Sequence, residues 1–128
     1  MSALKKFEPY AYAALRIVFG FLFACHGVQK VFAVFGGHHP VGALEWTSAG
    51  IELVGGVLIL IGLLTPLAAF VASGEMAVAY FMMHAPHGFW PLKNGGEPPV
   101  LYCFIFLYLV FVGRGAWSVD RLLNRTRV

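Results

Sequence analysis

The sequence has few charged residues, only two cysteines and no CxxC motif. Asp, Glu, Lys and Arg make up 12% of the 128 residues, too little to cover a water-soluble domain. Without a CxxC motif, the chain has no dithiol of the kind that passes electrons through a disulfide. Cys25 and Cys103 are interpreted as small apolar residues, although a pairing between them stays open. No basic patch interleaved with aromatic residues is present either, so no nucleic-acid partner is expected.

Apolar residues are abundant, at 59% of the chain, and the mean hydropathy is +0.77. They form four segments, at residues 10–35, 46–64, 67–84 and 100–117. A helix needs about 20 residues to cross about 30 Å of hydrocarbon, and the first segment exceeds that length. The fourth is shorter and spans only if Pro98, Pro99 and Trp117 lie at interfacial turns. The sequence therefore predicts an all-α integral membrane protein, a four-helix bundle forming a single transmembrane domain over residues 1–128.

Basic residues are concentrated at the two ends of the chain. Under the positive-inside rule both termini are then cytoplasmic, which four spans allow. The loops 36–46 and 85–99 face outwards, with Lys30, both cysteines and all five histidines in the outer half. A short basic helix is expected at 119–127, with Ser118 or Asp120 as its N-cap. The basic residues at the two ends are Lys5, Lys6, Arg114, Arg121, Arg125 and Arg127.

Three charged residues, Arg16, Glu52 and Glu75, lie within the apolar segments. An unpaired charge in a bilayer costs about 2.5–3.5 kcal/mol on insertion scales, so these side chains are expected to point inward. Depths counted along the helices place Arg16 and Glu75 at similar levels, which predicts a salt bridge between them. Glu52 is expected to pair with His26 or Lys30. Such charges either fix helix register or line a polar pocket open to the outer face, and the sequence leaves both interpretations open.

The third segment carries a ladder of polar side chains. Met76, Tyr80 and His84 recur every four residues and share a face, with Glu75 beside them. An acid, a phenol and an imidazole in line could carry protons or bind a quinone headgroup, and an aromatic belt with an interfacial histidine is the plainer interpretation. The predicted polar pocket therefore contains Arg16, His26, Lys30, Glu52, Glu75, Tyr80 and His84.

The loop that follows, "PHGFWPLKNGGEPP", is rich in Trp, Phe, Pro and Gly. We expect it to fold over the outer mouth of the bundle as a lid, with Trp90, Asn94 and Glu97 as its notable residues and a positive φ at Gly95 or Gly96. His84 and His87 have a spacing that zinc can use, but Pro86 lies between them and no further ligand has a diagnostic spacing. No metal site is predicted.

Four stretches in order resemble the DoxX family of small bacterial membrane proteins. They are "LRIVFGFLFACHGVQKVF", "GIELVGGVLILIGLLTPLAA", "EMAVAYFMMHAPHGFWPLKNGGE" and "GRGAWSVD", which together cover nearly the whole chain. The resemblance implies a four-helix membrane bundle in the inner membrane of a bacterium, with several passes through the bilayer. Pro98 and Pro99 depart from the family pattern at the start of the fourth helix. The positions that match the pattern are Arg16, His26, Gly27, Lys30, Glu52, Met76, His84, Asn94, Gly95, Gly96, Glu97 and Asp120.

The resemblance implies several functions, because relatives are named as subunits of a thiosulfate:quinone oxidoreductase, as members of complexes against oxidative stress, or as a cargo receptor. The first hypothesis is a redox-associated, quinone-linked membrane subunit, with quinone as the cofactor and a redox protein or a second copy as partner. The alternative is a non-catalytic scaffold, assembly or cargo-binding protein in the lipid bilayer. Few helices and no visible inverted repeat make a transporter the minor hypothesis.

Overall fold

The computed structural model describes residues 2–123, and every regular element in that range is helical. A 3-10 turn at Ser2–Phe7 leads into helix α1, Glu8–Phe32, whose first turn contains Pro9. The helix ends three residues before the predicted boundary because Ala33 adopts a left-handed conformation with φ of 52°.

The second helix, α2, spans Gly42–Ile61 and begins four residues earlier than predicted. Its start is stabilised by Glu45, whose carboxylate accepts a hydrogen bond of 2.8 Å from the backbone N–H of Val41. A π-helical turn interrupts it at Ile51–Gly55. The helix ends at Gly62, which has a φ of 72°.

The third helix, α3, spans Thr65–His87, with Pro66 in its first turn. It contains a second π-helical turn at Tyr80–His84 and tightens into a 3-10 turn at Ala85–His87. Pro86 therefore lies in the last turn, because its ring is tolerated where a helix tightens and stops.

Two short helices flank the fourth long one. Helix α4 is Pro91–Asn94 and helix α5 is Glu97–Val112. Pro98 and Pro99 lie in the first turn of α5, where the backbone N–H groups have no acceptor within the helix, so that their absence from proline costs no hydrogen bond. Helix α5 ends at Val112, five residues before the predicted end at residue 117. Helix α6, Val119–Leu123, is capped by Ser118, whose Oγ accepts the N–H of Arg121 at 3.2 Å. The rest of the predicted helix, 124–127, lies outside the described residues.

Helices α1, α2 and α3 are long and apolar enough to cross a membrane. Helix α5 is apolar too, but its 16 residues make it shorter than a full span. Large apolar side chains such as Phe70, Phe81 and Phe104 are exposed around the helices, as expected where lipid replaces water as the solvent.

The helices pack in two tight pairs joined by aromatic residues. Helix α1 lies against α2 so closely that a Cβ added to Gly27 would come within 2.4 Å of the backbone nitrogen of Leu53. Helix α3 lies along α5 through small residues, among them Ser73, whose hydroxyl donates to the carbonyl of Cys103 at 2.7 Å. Phe23 of α1 then contacts the rings of Tyr102 and Phe106 of α5, at centroid distances of 5.5 and 4.9 Å.

Candidate functional site

Arg16 is fully buried, as predicted, but its predicted salt bridge with Glu75 is wrong. Its guanidinium group donates four hydrogen bonds to backbone carbonyls. The Nε–H reaches the carbonyl of Ile59 at 3.0 Å, and the two terminal nitrogens reach those of Arg114, Ala116 and Trp117 at 2.5 to 2.8 Å. Arg16 therefore fastens the segment after α5 to α1 and α2, because a planar fork of donors can satisfy several carbonyls at once.

The same end of the molecule contains Asp120, which is also fully buried. Its backbone N–H donates to the carbonyl of Gly62 at 3.0 Å, so the start of α6 is tied to the end of α2. A Cβ on Gly62 would come within 2.4 Å of the Ser118 Cβ and 3.2 Å of the Arg16 guanidinium carbon. This region is a packed junction around Arg16, with an open surface groove beside it whose walls include Ile61, Ser118 and Arg121.

A second group of polar side chains, the polar centre, consists of Glu52, which is buried, and of Lys30, Ser48 and Glu75, which are half-buried. Lys30 Nζ lies 2.5 Å from Glu52 Oε2, which confirms the predicted partner for Glu52. Lys30 Nζ also donates to Ser48 Oγ at 3.1 Å, and that hydroxyl lies 2.6 Å from Glu75 Oε1. Side chains from α1, α2 and α3 thus meet in one hydrogen-bonded group.

Two features of the polar centre are unusual for ordinary helix packing. Glu52 lies in the π-helical turn of α2, a distortion that occurs frequently at functional sites. Glu75 has one oxygen, Oε2, that is shielded from solvent and has no hydrogen-bond partner among the described residues, as is also true of both carboxyl oxygens of Asp120 in the Arg16 junction. A buried acceptor without a partner is costly, so it requires a chemical explanation.

A tyrosine of α5 packs against α1 one turn from Lys30. Tyr102 is buried against the rings of Phe19 and Phe23, at centroid distances of 5.8 and 5.5 Å. His26 was predicted to point into the pocket, but it is exposed and its ring meets Tyr102 edge-on at 5.9 Å between centroids. The predicted contact of His26 with Glu52 is therefore absent among the described hydrogen bonds.

The polar residues of α3 beyond Glu75 form a separate group around Asn94. Tyr80 donates its hydroxyl hydrogen to the carbonyl of Phe89, and Asn94 Nδ2 donates to the Tyr80 oxygen at 3.2 Å. His84 Nδ1 lies 3.1 Å from the Asn94 carbonyl. Tyr80 and His84 thus hold the loop 88–96 against α3, and they share no hydrogen bond with the polar centre.

The three predicted lid residues have different environments. Asn94 is the anchor just described, and Gly95 has the predicted positive φ, at 74°. The side chains of Trp90 and Glu97 are exposed. Both cysteines are free, and within residues 2–123 no three His, Cys, Asp or Glu side chains gather in a way that could hold a metal ion.

An apolar groove of about 440 Å³ lies between α2 and α3. Its walls include Thr47, Ile51 and Val54 of α2, and Ala68 and Val71 of α3. Thr47 and Ile51 are the direct neighbours of Ser48 and Glu52, and Val71 lies one helical turn before Glu75. The groove therefore runs at the level of the helical turns that contribute to the polar centre, and its walls are formed by their neighbours and not by the four polar side chains themselves.

Sequence comparison places the chain among bacterial membrane proteins. The family model described as DoxX matches residues 11–85. An uncharacterized protein of Haemophilus influenzae is 45% identical over 94% of this chain and 96% of its own length. The inner membrane protein YqjF of Escherichia coli is 29% identical over 95% of this chain and 98% of its own length. An uncharacterized membrane protein of Mycobacterium tuberculosis is 25% identical, over 91% and 83%.

No solved structure matches the chain significantly. The predicted location is confirmed: with three helices able to span a bilayer, this is a multi-pass protein of the inner membrane. The family suggested by the four sequence stretches is confirmed as well, and the chain belongs to the DoxX family.

Proposed function

We propose that the polar centre binds the headgroup of a membrane quinone and that the protein is a redox-associated membrane subunit. The observation that carries this proposal is the unpartnered Oε2 of Glu75 beside the Lys30–Glu52 pair. A quinone carbonyl needs a donor such as a lysine ammonium or a protonated carboxyl, and the reduced hydroxyl needs an acceptor. The polar centre offers both kinds of group within one hydrogen-bonded unit.

The apolar groove supports the same proposal. Ligand sites of about 300–1,000 Å³ that are mostly apolar with a few convergent polar groups are typical of small-molecule and cofactor binding. An isoprenoid tail along Ile51, Val54 and Val71 would stay in contact with hydrocarbon. The headgroup at the end of such a tail would lie at the level of Ser48 and Glu75.

We also propose how the protein is inserted in the membrane. All four long helices cross the bilayer in a four-helix bundle, and both termini are cytoplasmic. Lys5, Lys6, Arg114 and Arg121 support the orientation because they lie beyond the same end of the bundle, next to the Arg16 junction. A fluorescent reporter fused to the C-terminus, active only in the cytoplasm, should be active in cells. A reporter that is active only in the periplasm should be silent there.

Thermal stabilisation by short-chain ubiquinone and menaquinone analogues tests the binding. A ligand at ten times its Kd stabilises the folded state by about 1.4 kcal/mol, which corresponds to roughly 3–6 °C in Tm. Glu75→Gln should abolish the shift, and Glu8→Gln, the same change at an exposed glutamate, should retain it. A wild-type protein whose Tm does not rise with either quinone analogue would refute the proposal.

Filling the groove provides a second, independent test. Val71→Trp places a large ring where the tail would lie and leaves the polar centre untouched. Val78→Trp is the matched control, since Val78 is also exposed on α3 but does not line the groove. If only Val71→Trp loses the rise in Tm with quinone, the groove is supported as the site of the tail. An equal rise in Tm in Val71→Trp and Val78→Trp would exclude it.

A scaffold or assembly role is the second candidate, and Arg16 favours it. This arginine uses its charge entirely to hold the segment after α5, which is a structural task. A wild-type protein without a quinone shift that co-purifies from membranes with one defined partner would support the scaffold role. A redox protein partner and a second copy of the chain are both compatible with it.

A further inference from the structure

Counting charges in the polar centre exposes an imbalance. If Glu52 and Glu75 are both ionised, Lys30 neutralises only one of them, and the Lys30–Glu52 contact is the only ion pair within residues 2–123. Arg16 cannot supply the missing charge, because it lies fourteen residues before Lys30 on α1, about 21 Å away. One negative charge would therefore remain uncompensated in the membrane interior.

The hydrogen bonds indicate which carboxyl group is left without a cation. Lys30 Nζ is 2.5 Å from Glu52 Oε2, whereas Ser48 Oγ is 2.6 Å from Glu75 Oε1 and 3.3 Å from Glu52 Oε2. A serine hydroxyl has one hydrogen, and the shorter distance assigns it to Glu75. Glu52 pairs with the ammonium group of Lys30, whereas Glu75 accepts a hydrogen bond only from the neutral hydroxyl group of Ser48.

The environment of the second carboxyl oxygen of Glu75 also favours the neutral acid. Glu75 Oε2 is shielded and has no partner, which costs an ionised carboxylate much more than it costs the hydroxyl group of a neutral acid. Tyr102 of α5 is also ionisable and is buried against Phe23 and His26 of α1. It adds no positive charge.

We propose that Glu75 carries one exchangeable proton and is the proton-holding carboxyl of the polar centre. At neutral pH Glu75 is a carboxylic acid. A positive charge placed beside it would cause it to release the proton. This inference rests on the proposed function for what the proton would do, namely exchange with a bound quinone. The protonated state itself requires no quinone.

Infrared spectroscopy of the purified protein in lipid, without quinone, tests it. The wild type should show the carbonyl band of a protonated carboxylic acid at pH 7, identified by its shift in D2O. Glu75→Gln should remove a component of this band, and Glu8→Gln should remove none. Glu52→Gln should remove the same component as Glu75→Gln, because Lys30 is then free to pair with Glu75 and ionise it.

Each outcome decides the proposal. A wild type without a protonated carboxyl band, or a Glu75→Gln spectrum in which no component of the band is lost, overturns it, and the first result needs no variant to fold. A band that disappears when sodium or potassium is added would assign the compensating charge to a bound cation and would also overturn it. A protonated Glu75 without any quinone shift would leave this inference intact and refute the proposed function alone.

Discussion

Replacing Gly27 with alanine tests whether α1 and α2 are held together backbone to backbone. The added Cβ would lie 2.4 Å from the nitrogen, 2.6 Å from the Cα and 2.7 Å from the Cβ of Leu53. Nonbonded carbon atoms prefer about 3.5–4.0 Å, so the two helices must separate by about 1 Å. Overpacking of this kind costs about 1–3 kcal/mol.

The same separation affects the polar centre. Lys30 lies one helical turn after Gly27, and Glu52 is the neighbour of Leu53. Gly27→Ala should therefore lower the free energy of unfolding and lengthen the 2.5 Å contact between Lys30 and Glu52. Any quinone binding at the polar centre should weaken in the same variant.

The loss in the free energy of unfolding is measured by SDS-induced unfolding in mixed micelles, with tryptophan fluorescence as the signal. Gly74→Ala is the matched control, because a Cβ at Gly74 meets nothing within 4 Å, and it should change stability by about 0.5 kcal/mol or less. Equal stabilities of the two variants would refute the close approach of α1 and α2.

Three further changes test other contacts. Arg16→Lys should destabilise the protein by about 2 kcal/mol or more in the same SDS assay, because an ammonium cannot reach all four carbonyls, and the exposed Arg121→Lys should have no effect. Lys30→Met and Glu52→Leu should cost much less together than the sum of the single changes, whereas Arg16→Met and Glu75→Gln should be additive within about 0.5 kcal/mol. Asn94→Ala should speed hydrogen exchange in residues 85–96, and exposed Lys93→Ala should not. Additive losses for Lys30 and Glu52, or unchanged exchange in Asn94→Ala, would contradict these contacts.

Hydropathy and charge made much of this structure predictable. Four apolar segments predicted the four long helices, because a membrane protein must satisfy its backbone within each segment. A glutamate and a lysine in apolar surroundings predicted the Lys30–Glu52 pair, since an unpaired charge there is expensive. Ser48 was within reach of the same reasoning, because it precedes Glu52 by one helical turn and so shares its face.

The partners of Arg16 and the position of Tyr102 could not be found in this way. Arg16 bonds to carbonyls of a loop about 100 residues later, and every residue has a carbonyl, so no sequence signal marks them. Depth counting also treats each helix as straight and starting at one level, which made Arg16 and Glu75 look like neighbours. Tyr102 resembles any other aromatic residue of α5 until the rotation of that helix is known.

Photoaffinity labelling with an azido-quinone in native membranes tests the central claim most directly. The quinone is expected to label peptides of α2 and α3 that contain Ile51, Val54 or Val71, and excess unmodified quinone should suppress the labelling. Glu75→Gln should reduce the labelling and Glu8→Gln should not. Labelling confined to the lipid-facing surface of α5, or unaffected by excess quinone, would contradict a quinone site at the polar centre.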